Sequence, residues 1–355
     1  MSKIRWIRRF EPLSKERLLE ATLETEKWLE QYSHTEGDRE CWDVLPGKVL
    51  PEDAFLLKDT SIYAGAAGIA LFYLRLYIAT QDSKWLAHSK AGINYVISKY
   101  KGIDDFKSDA LFLPGAAVGF LNSPAGGAYV ASRLYEITGE EKYKDFAIQV
   151  TDDVIAAANE ENGELTWYGF YGILGEGGLI LYLIDAYETY KKQEYIDAAE
   201  KAAKYIASRK EEASIGGYKW YVMPTETFPT IGKAGGYFPG FEYGAAGCGY
   251  ILASIYKHTK NEEYLKTMKM LFDYGENLMC LDGGIYNDAQ TEWRYTTTFQ
   301  EIALIETMLE GKDVLDKETV AKFEERIKKC AKWLFENLNE FSYANINYAT
   351  TNGLA

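Results

Sequence analysis

The pattern of hydrophobic and polar positions divides this sequence into pairs of segments that recur along the chain. Four apolar runs each follow a short motif of small residues, and each run ends in a polar break. A segment that mixes apolar residues with lysine and glutamate comes next. Repetition of one unit at intervals of roughly 50 to 70 residues is typical of helical repeat architectures. The motifs lie at residues 64–68, 123–127, 175–178 and 244–247.

The two segments of each pair predict two kinds of helix. In the first apolar run, Arg75 is the one charged residue between Ile69 and Ile78, and a helix without a polar face is buried. The second segments have an apolar stripe at helical spacing, as at residues 196–206, which is typical of an amphipathic outer helix. The inner helices are expected to start at Gly65, Ser123, Gly175 and Gly244, and the outer helices at Trp85, Tyr143, Tyr195 and Tyr264.

This alternation predicts an all-α fold, an (α/α) toroid of repeated helical hairpins with parallel inner and antiparallel outer helices. We expect the motif glycines to allow close approach of inner helices and a sharp turn before each of them. One toroid domain is expected over residues 1–355, with an extra N-terminal helix at 13–33 and hairpins over 61–355.

The last repeat of the predicted ring is incomplete. Thr298 would open a fifth inner helix, and Gly353 would open a sixth just before the sequence ends. An incomplete ring exposes an apolar seam, which is a liability in a soluble monomer. We therefore expect a fragment of a longer chain, self-association, or closure of the seam by the N-terminal helix.

Composition narrows the range of partners and compartments. A net charge of −14 disfavours nucleic acid and anionic membrane surfaces as partners. The uncharged stretch 110–132 contains Pro114 and Pro124, so it is predicted to be a loop and a buried helix rather than a membrane span. The absence of a secretory signal and of CxxC spacing predicts a cytoplasmic protein with reduced thiols.

The connections from outer to inner helices are long and aromatic, and they define one rim of the predicted toroid: residues 102–122, 159–174, 210–243 and 281–297. Long loops on a rigid scaffold usually hold the functional site. The N-termini of the inner helices, which favour anions and polarised oxygens, point to the same rim. The rim suits a sugar, a peptide or an aromatic ligand, with packing of the loops as the alternative role for each ring. The predicted ligand-binding residues are Asp59, Tyr63, Trp167, Tyr168, Tyr171, Glu176, Trp220, Tyr237, Phe241, Asp288 and Trp293.

Acidic side chains on the rim suggest one possible chemistry. Two carboxylates at a suitable separation can hydrolyse a glycosidic bond, one as acid and one as base. Glu176 and Glu242 are the preferred candidates because they lie in or beside the small-residue motifs, and Asp282 is another. Solvated or loop-capping roles are the alternative for each acid. None of the three histidines falls on the predicted rim, so we expect neither a histidine base nor a histidine-held metal.

The repeat resembles that of a known family. Residues 61–72, followed by the break at 80–85, closely resemble the repeat of lanthionine synthetase C-like proteins. Residues 240–247 look like that family's G-x-x-H-G-x-x-G step. The resemblance implies an (α/α) toroid with its site on the loop-bearing rim. Cyclases of that family use a zinc ion, held by two cysteines and a histidine, to activate a peptide cysteine for addition to a dehydroamino acid.

The zinc ligands of that family do not carry over to this chain. Tyr243 stands at the position of the motif histidine, and Arg294 or Thr296 stands at that of the first cysteine. Thr351 and Asn352 stand where the family has a cysteine–histidine pair. We therefore expect no zinc and no other cofactor.

Three functions are compatible with these patterns. The first is a zinc-free lanthionine synthetase C-like protein that binds or modifies a peptide or small molecule, including a sugar, in its central cavity. Any chemistry would then use Glu242, Tyr243, Arg294 and a rim acid such as Asp282. The second is a carbohydrate-active enzyme with two rim carboxylates, because six-hairpin glycosidases share the toroid. The third is a non-catalytic interaction module.

Overall fold

The computed structural model describes ten stretches of the chain: residues 14–43, 59–106, 119–167, 171–213, 216–222, 236–237, 244–278, 312–322, 324–325 and 328. Its contacts divide the chain into two units, Met1–Lys99 and Tyr100–Ala355, which are described separately. The one-domain expectation is not tested by this division and stays a prediction. No helix in the described stretches is both long enough and apolar enough to cross a membrane.

Within residues 14–43 and 59–99, the first unit has one helix, one β-hairpin and one helical pair. Its elements are α1 (Lys15–Glu30), β1 (Ser33–Glu36), β2 (Arg39–Trp42), α2 (Ala66–Thr80) and α3 (Ser83–Lys99). Helix α1 starts after the N-cap Ser14, whose hydroxyl accepts the backbone N–H of Arg17. Strand β1 pairs antiparallel with β2, and β2 packs against α3.

The described part of the second unit contains three helical pairs and three further hairpins. After a 3₁₀ helix (Gly102–Phe106), the pairs are α4 (Pro124–Thr138) with α5 (Glu141–Ala156), α6 (Glu176–Tyr190) with α7 (Gln193–Ser208), and α8 (Ala245–Thr259) with α9 (Glu262–Leu278). The antiparallel hairpins are β3 (Asn159–Glu161) with β4 (Glu164–Thr166), β5 (Glu211–Glu212) with β6 (Tyr218–Lys219), and β7 (Tyr221–Val222) with β8 (Gly236–Tyr237).

The inner helices begin where the small-residue motifs predict. Their N-caps are Gly65, Ser123, Gly175 and Gly244, and each helix has 15 residues. Each ends at a C-cap residue in the left-handed conformation, whose N–H bonds to a carbonyl of the last turn and lets the chain reverse sharply. These C-caps are Gln81, Gly139, Lys191 and Lys260. The fifth expected start, Thr298, lies outside the described residues.

The outer helices start two residues earlier than predicted. Ser83, Glu141, Gln193 and Glu262 are their first residues, so each expected aromatic start is the third residue of its helix. The four aromatic side chains are buried. They mark a packing position in the first turn, while the polar residues before them form the exposed start of the helix.

Neighbouring inner helices of the second unit run parallel. Phe120, just before α4, lies against Gly178 in the first turn of α6, and farther along the same pair Arg133 bonds to Asp185 at 2.8 Å. Helices α6 and α8 meet near their starts at Gly177 and Ile251. They meet again near their ends through His258 and Glu188, at 3.2 Å.

The motif glycines allow two kinds of close approach. A Cβ atom on Gly68 or Gly178 would collide with a backbone carbonyl of the loop that leads into the same helix. A Cβ atom on Gly177 would collide with the side chain of Ile251 in the neighbouring helix α8. Both predicted purposes of the glycines, a tight turn and close helix packing, are therefore confirmed at these positions.

Candidate functional site

In the first unit, the loop before α2 holds the rim acid Asp59 in a defined orientation. Its backbone carbonyl accepts the N–H of Ala66, the first residue of α2, at 2.7 Å. Its Oδ2 accepts the Tyr95 hydroxyl at 2.5 Å. Burial is the main cause of a raised pKa at Tyr95, and its hydrogen bond to the Asp59 carboxylate raises the pKa further. The phenol therefore stays protonated and donates this hydrogen bond. Asp59 and the nearby Tyr63, which is 46% exposed, both remain open to solvent.

In the second unit, Glu176 is the first residue of inner helix α6, and its side chain is fully buried. Its Oε1 accepts the Thr166 hydroxyl at 2.6 Å and the backbone N–H of Trp167 at 3.1 Å. A carboxylate in this position also gains from the helix dipole. Glu176 therefore joins the end of β4 to the start of α6.

The two rim tryptophans of the second unit are anchored by their indole N–H groups. Trp167 donates to the carbonyl of Val154 at 2.9 Å, and Trp220 donates to that of Ile206 at 2.8 Å. Each acceptor lies in the last turn of an outer helix, where carbonyls have few partners within the helix, and the Ile206 carbonyl also accepts the N–H of the C-cap Arg209 at 3.2 Å. Trp167 is 6% exposed and Trp220 is fully buried. These contacts give both rings a packing role, and their contact with a ligand stays a prediction.

Tyr171 lies half-buried in the loop that leads into α6, and its ring lies near that of Tyr205 at the end of α7. Its ring centroid is 6.2 Å from that of Tyr205, and the guanidinium of Arg209 lies 4.7 Å from the Tyr205 centroid. Burial is the largest cause of a raised pKa at Tyr171, followed by the proximity of Tyr205 and Glu176. The site therefore combines two aromatic rings with a cation.

Sequence reasoning missed Tyr95, Tyr205 and Arg209. One sequence pattern could have identified them: a tyrosine followed four residues later by a cation at the end of an outer helix. Residues at this spacing are neighbours on the helix surface, so the cation can lie over the tyrosine ring. The pattern occurs at Tyr95–Lys99 in α3 and at Tyr205–Arg209 at the end of α7. Only the packing of the lead-in loops against these helix ends brings the tyrosines to the rim.

Of the other predicted site residues, the structure describes Tyr237 alone, on β8, where it pairs with Tyr221. The remaining residues lie outside the described part of the chain, and their roles stay predictions: Tyr168, Phe241, Glu242, Tyr243, Asp282, Asp288, Trp293 and Arg294.

The described donors do not fit a zinc ion held by cysteine and histidine. Cys248 is fully buried, and burial raises its thiol pKa, which disfavours the thiolate that zinc requires. In the described stretches, no group of three or more His, Cys, Asp and Glu side chains is arranged to hold a metal ion. Each histidine is instead paired with a carboxylate: His34 with Asp43 at 2.8 Å, His88 with Glu40 at 2.7 Å, and His258 with Glu188 at 3.2 Å.

Solved structures of several carbohydrate-active proteins share this fold. The unsaturated glucuronyl hydrolase from Streptococcus agalactiae aligns with a TM-score of 0.55 and 15% identity, over 92% of this chain and 82% of that chain. A D-mannose isomerase aligns with a TM-score of 0.54 and 14% identity, over 92% and 88%. An inactive variant of the α-1,6-mannanase of Salegentibacter sp. HEL1_6 aligns with a TM-score of 0.51 and 12% identity, over 95% and 90%. At such identities the likeness shows the fold alone.

Comparison with family models adds a sequence-level assignment. The model of the ulvan lyase N-terminal domain matches residues 246–355. The model described as lanthionine synthetase C-like protein matches residues 57–298, more than half of the chain. No curated protein sequence matches the chain. The small-residue motifs, the helical pairs and this match agree: the chain belongs to the lanthionine synthetase C-like protein family and has its (α/α) toroid fold, with parallel inner and antiparallel outer helices.

Proposed function

We propose that this chain is a zinc-independent member of its family and binds a saccharide at the rim of its second unit. The observation that carries the proposal of zinc independence is the location of the histidines. All three are paired with carboxylates, and His258, the one histidine of the second unit, lies in the last turn of α8, at the opposite end from the N-cap Gly244. A family cyclase needs a histidine at the start of that helix, where this chain has Tyr243.

A saccharide is the favoured ligand for two reasons. Proteins of this fold include those named as a glucuronyl hydrolase, a mannose isomerase and a mannanase, all of which act on sugars. In addition, Tyr171 and Tyr205 place two aromatic rings beside the start of α6, and aromatic surface with a few polar groups is typical of small-molecule sites. For any reaction of the bound sugar, we propose Glu242 and Asp282 as acid and base, with Tyr243 and Arg294 as donors.

A peptide is the second candidate ligand. It is favoured by the family match over residues 57–298, because the cyclases that name the family act on peptides. If no small ligand binds, the result would favour a non-catalytic interaction module.

Ligand-induced thermal shifts test the proposal. The protein is treated with EDTA and then screened against neutral and acidic mono- and disaccharides and against cysteine-containing peptides. Binding to the folded protein raises its melting temperature, so we expect saccharides to stabilise the protein. EDTA treatment should leave this stabilisation unchanged. Glu242→Gln and Tyr243→Phe should weaken that response, whereas Glu212→Gln in the exposed strand β5 should not. A response to peptides alone, or one that requires added zinc, would contradict the proposal.

A further inference from the structure

At the end of outer helix α7, the Tyr205 ring lies beside two side chains, the tilted Tyr171 ring and the Arg209 guanidinium. The Tyr171 and Tyr205 rings are 6.2 Å apart at 51°, and the Arg209 guanidinium lies 4.7 Å from the Tyr205 centroid. Arg209 is the C-cap of α7, and Tyr171 belongs to the loop that leads into α6. This cluster of Tyr171, Tyr205 and Arg209 therefore lies on the rim of the second unit, beside the start of an inner helix.

The Arg209 guanidinium makes one loose ion pair and is otherwise open to solvent. Its carboxylate neighbour is Glu164, with 3.8 Å between Nη2 and Oε2, which is too long for a hydrogen bond. Within the described stretches, its side chain donates no hydrogen bond, and half of that side chain is exposed. The Tyr205 ring supports the guanidinium, and an arginine presents its donors as a planar fork that matches a carboxylate.

The corresponding place in the first unit already contains a carboxylate. Tyr95 and Lys99 occupy the same positions at the end of α3, with the Lys99 ammonium 5.2 Å from the Tyr95 centroid. There the lead-in loop supplies Asp59, which accepts the Tyr95 hydroxyl. In the second unit, the lead-in loop supplies the Tyr171 ring instead of a carboxylate, and the ion-pair partner of Arg209 is Glu164 of β4, at 3.8 Å.

We propose that Tyr171, Tyr205 and Arg209 form a subsite for a sugar that carries a carboxylate, a uronic acid residue. The sugar ring packs against the tyrosines, and its carboxylate accepts two hydrogen bonds from Arg209. This inference rests on the proposed saccharide binding and adds that the preferred saccharide is acidic. Arg209 is then the residue that determines specificity.

Calorimetric titration with a matched pair of ligands tests this assignment. The probes are cellobiouronic acid, its methyl ester and neutral cellobiose. The parent protein should bind the acid about tenfold more tightly than the ester, because a hydrogen bond to a charged group at an exposed site contributes at the lower end of its usual range. Arg209→Gln should abolish this preference. Arg209→Lys should retain part of it, because the charge remains and the planar fork is lost.

Lys204→Gln is the matched control. Lys204 is on the same helix, has a similar exposure and makes an (i, i+4) pair with Glu200, so the control removes the same charge elsewhere. It should leave the tenfold preference unchanged, and circular dichroism should show that all variants are folded. Equal binding of acid and ester by the parent, or a preference that survives Arg209→Gln, would overturn the assignment while saccharide binding stands. Failure of all three sugars to bind would refute saccharide binding itself.

Discussion

Glu40→Gln tests how a buried ion pair holds the N-terminal hairpin to the first helical pair. Glu40 Oε2 lies 2.7 Å from His88 Nδ1, and the two side chains are 6% and 35% exposed. The His88 ring also stacks on Tyr73, with centroids 4.8 Å apart. Since Glu40 is on β2 and His88 is on α3, the pair joins two elements that are far apart in sequence.

The pair should stabilise the first unit in a pH-dependent way. The hydrogen bond that His88 donates to Glu40 is the largest cause of the raised pKa of His88. Burial opposes this shift, and the carboxylates of Glu26 and Glu30 add to it. A pKa raised by folding means that the stabilisation is fully present below about pH 6.5, the ordinary histidine value, and is lost as the pH rises through the folded-state pKa.

The expected loss of stability is about 1.5 kcal/mol at pH 5.5. Hydrogen bonds to charged groups contribute about 1.5–3 kcal/mol, and we take the lower end because solvent screens the exposed third of His88. At pH 9 the loss should be much smaller, since neutral His88 carries no positive charge to pair with the Glu40 carboxylate. Burial is the largest cause of a raised carboxyl pKa at Glu26, and the charge of His88 lowers it, so Glu26 belongs to the same pH-dependent cluster.

Two measurements check this expectation. Urea unfolding of parent and Glu40→Gln at both pH values gives the free-energy difference, with Asp43→Asn as control, because its partner His34 is 62% exposed and should contribute little. Nuclear magnetic resonance titration follows the imidazoles directly, with His34 and His258 as internal references. Equal losses at pH 5.5 and pH 9, or a His88 titration that does not move to lower pH in the variant, would refute the reasoning.

Two further predictions concern the metal and the indole anchors. The family ligand positions hold Tyr243, Arg294 or Thr296, Thr351 and Asn352. Elemental analysis of the purified protein should therefore find no stoichiometric zinc, and one tightly held zinc per chain would overturn that alignment. Trp220→Phe removes the indole N–H that bonds to Ile206 at 2.8 Å, so it should cost about 1–3 kcal/mol of unfolding free energy. Trp28→Phe, at a side chain that is 49% exposed, should cost much less, and equal losses in the two variants would argue against the anchor.

The helical framework could be predicted because its signals are local. Small residues at Gly65, Ser123, Gly175 and Gly244, each followed by an apolar run, marked the N-caps of four helices, one residue before each helix begins. Such N-caps and runs act within one or two turns and depend little on distant segments. The outer helices were misplaced by two residues because a buried aromatic in the first turn is a stronger pattern than the exposed residues before it.

The candidate site could be predicted only in part. The sequence placed Asp59, Tyr171 and Glu176 near the starts of inner helices, but it had no means of distinguishing an exposed carboxylate from the buried one at Glu176. Burial depends on which segments pack together, and here β4 supplies the donors that enclose Glu176. The proposed catalytic residues, including Glu242 and Arg294, stay predictions.

By itself, the sequence determined the repeat, the family and the alternation of buried and amphipathic helices, because apolar periodicity and small-residue motifs are properties of contiguous residues. Only the tertiary structure decided that each β-hairpin next to a rim tryptophan anchors to an outer helix, and that Tyr205 and Arg209 stack beside Tyr171. The two indole bonds and the contact of Tyr171 with Tyr205 join residues that are 13 to 34 positions apart. Their partners are selected by the burial of aromatic surface and by the need of helix-end carbonyls for donors, which no local pattern encodes.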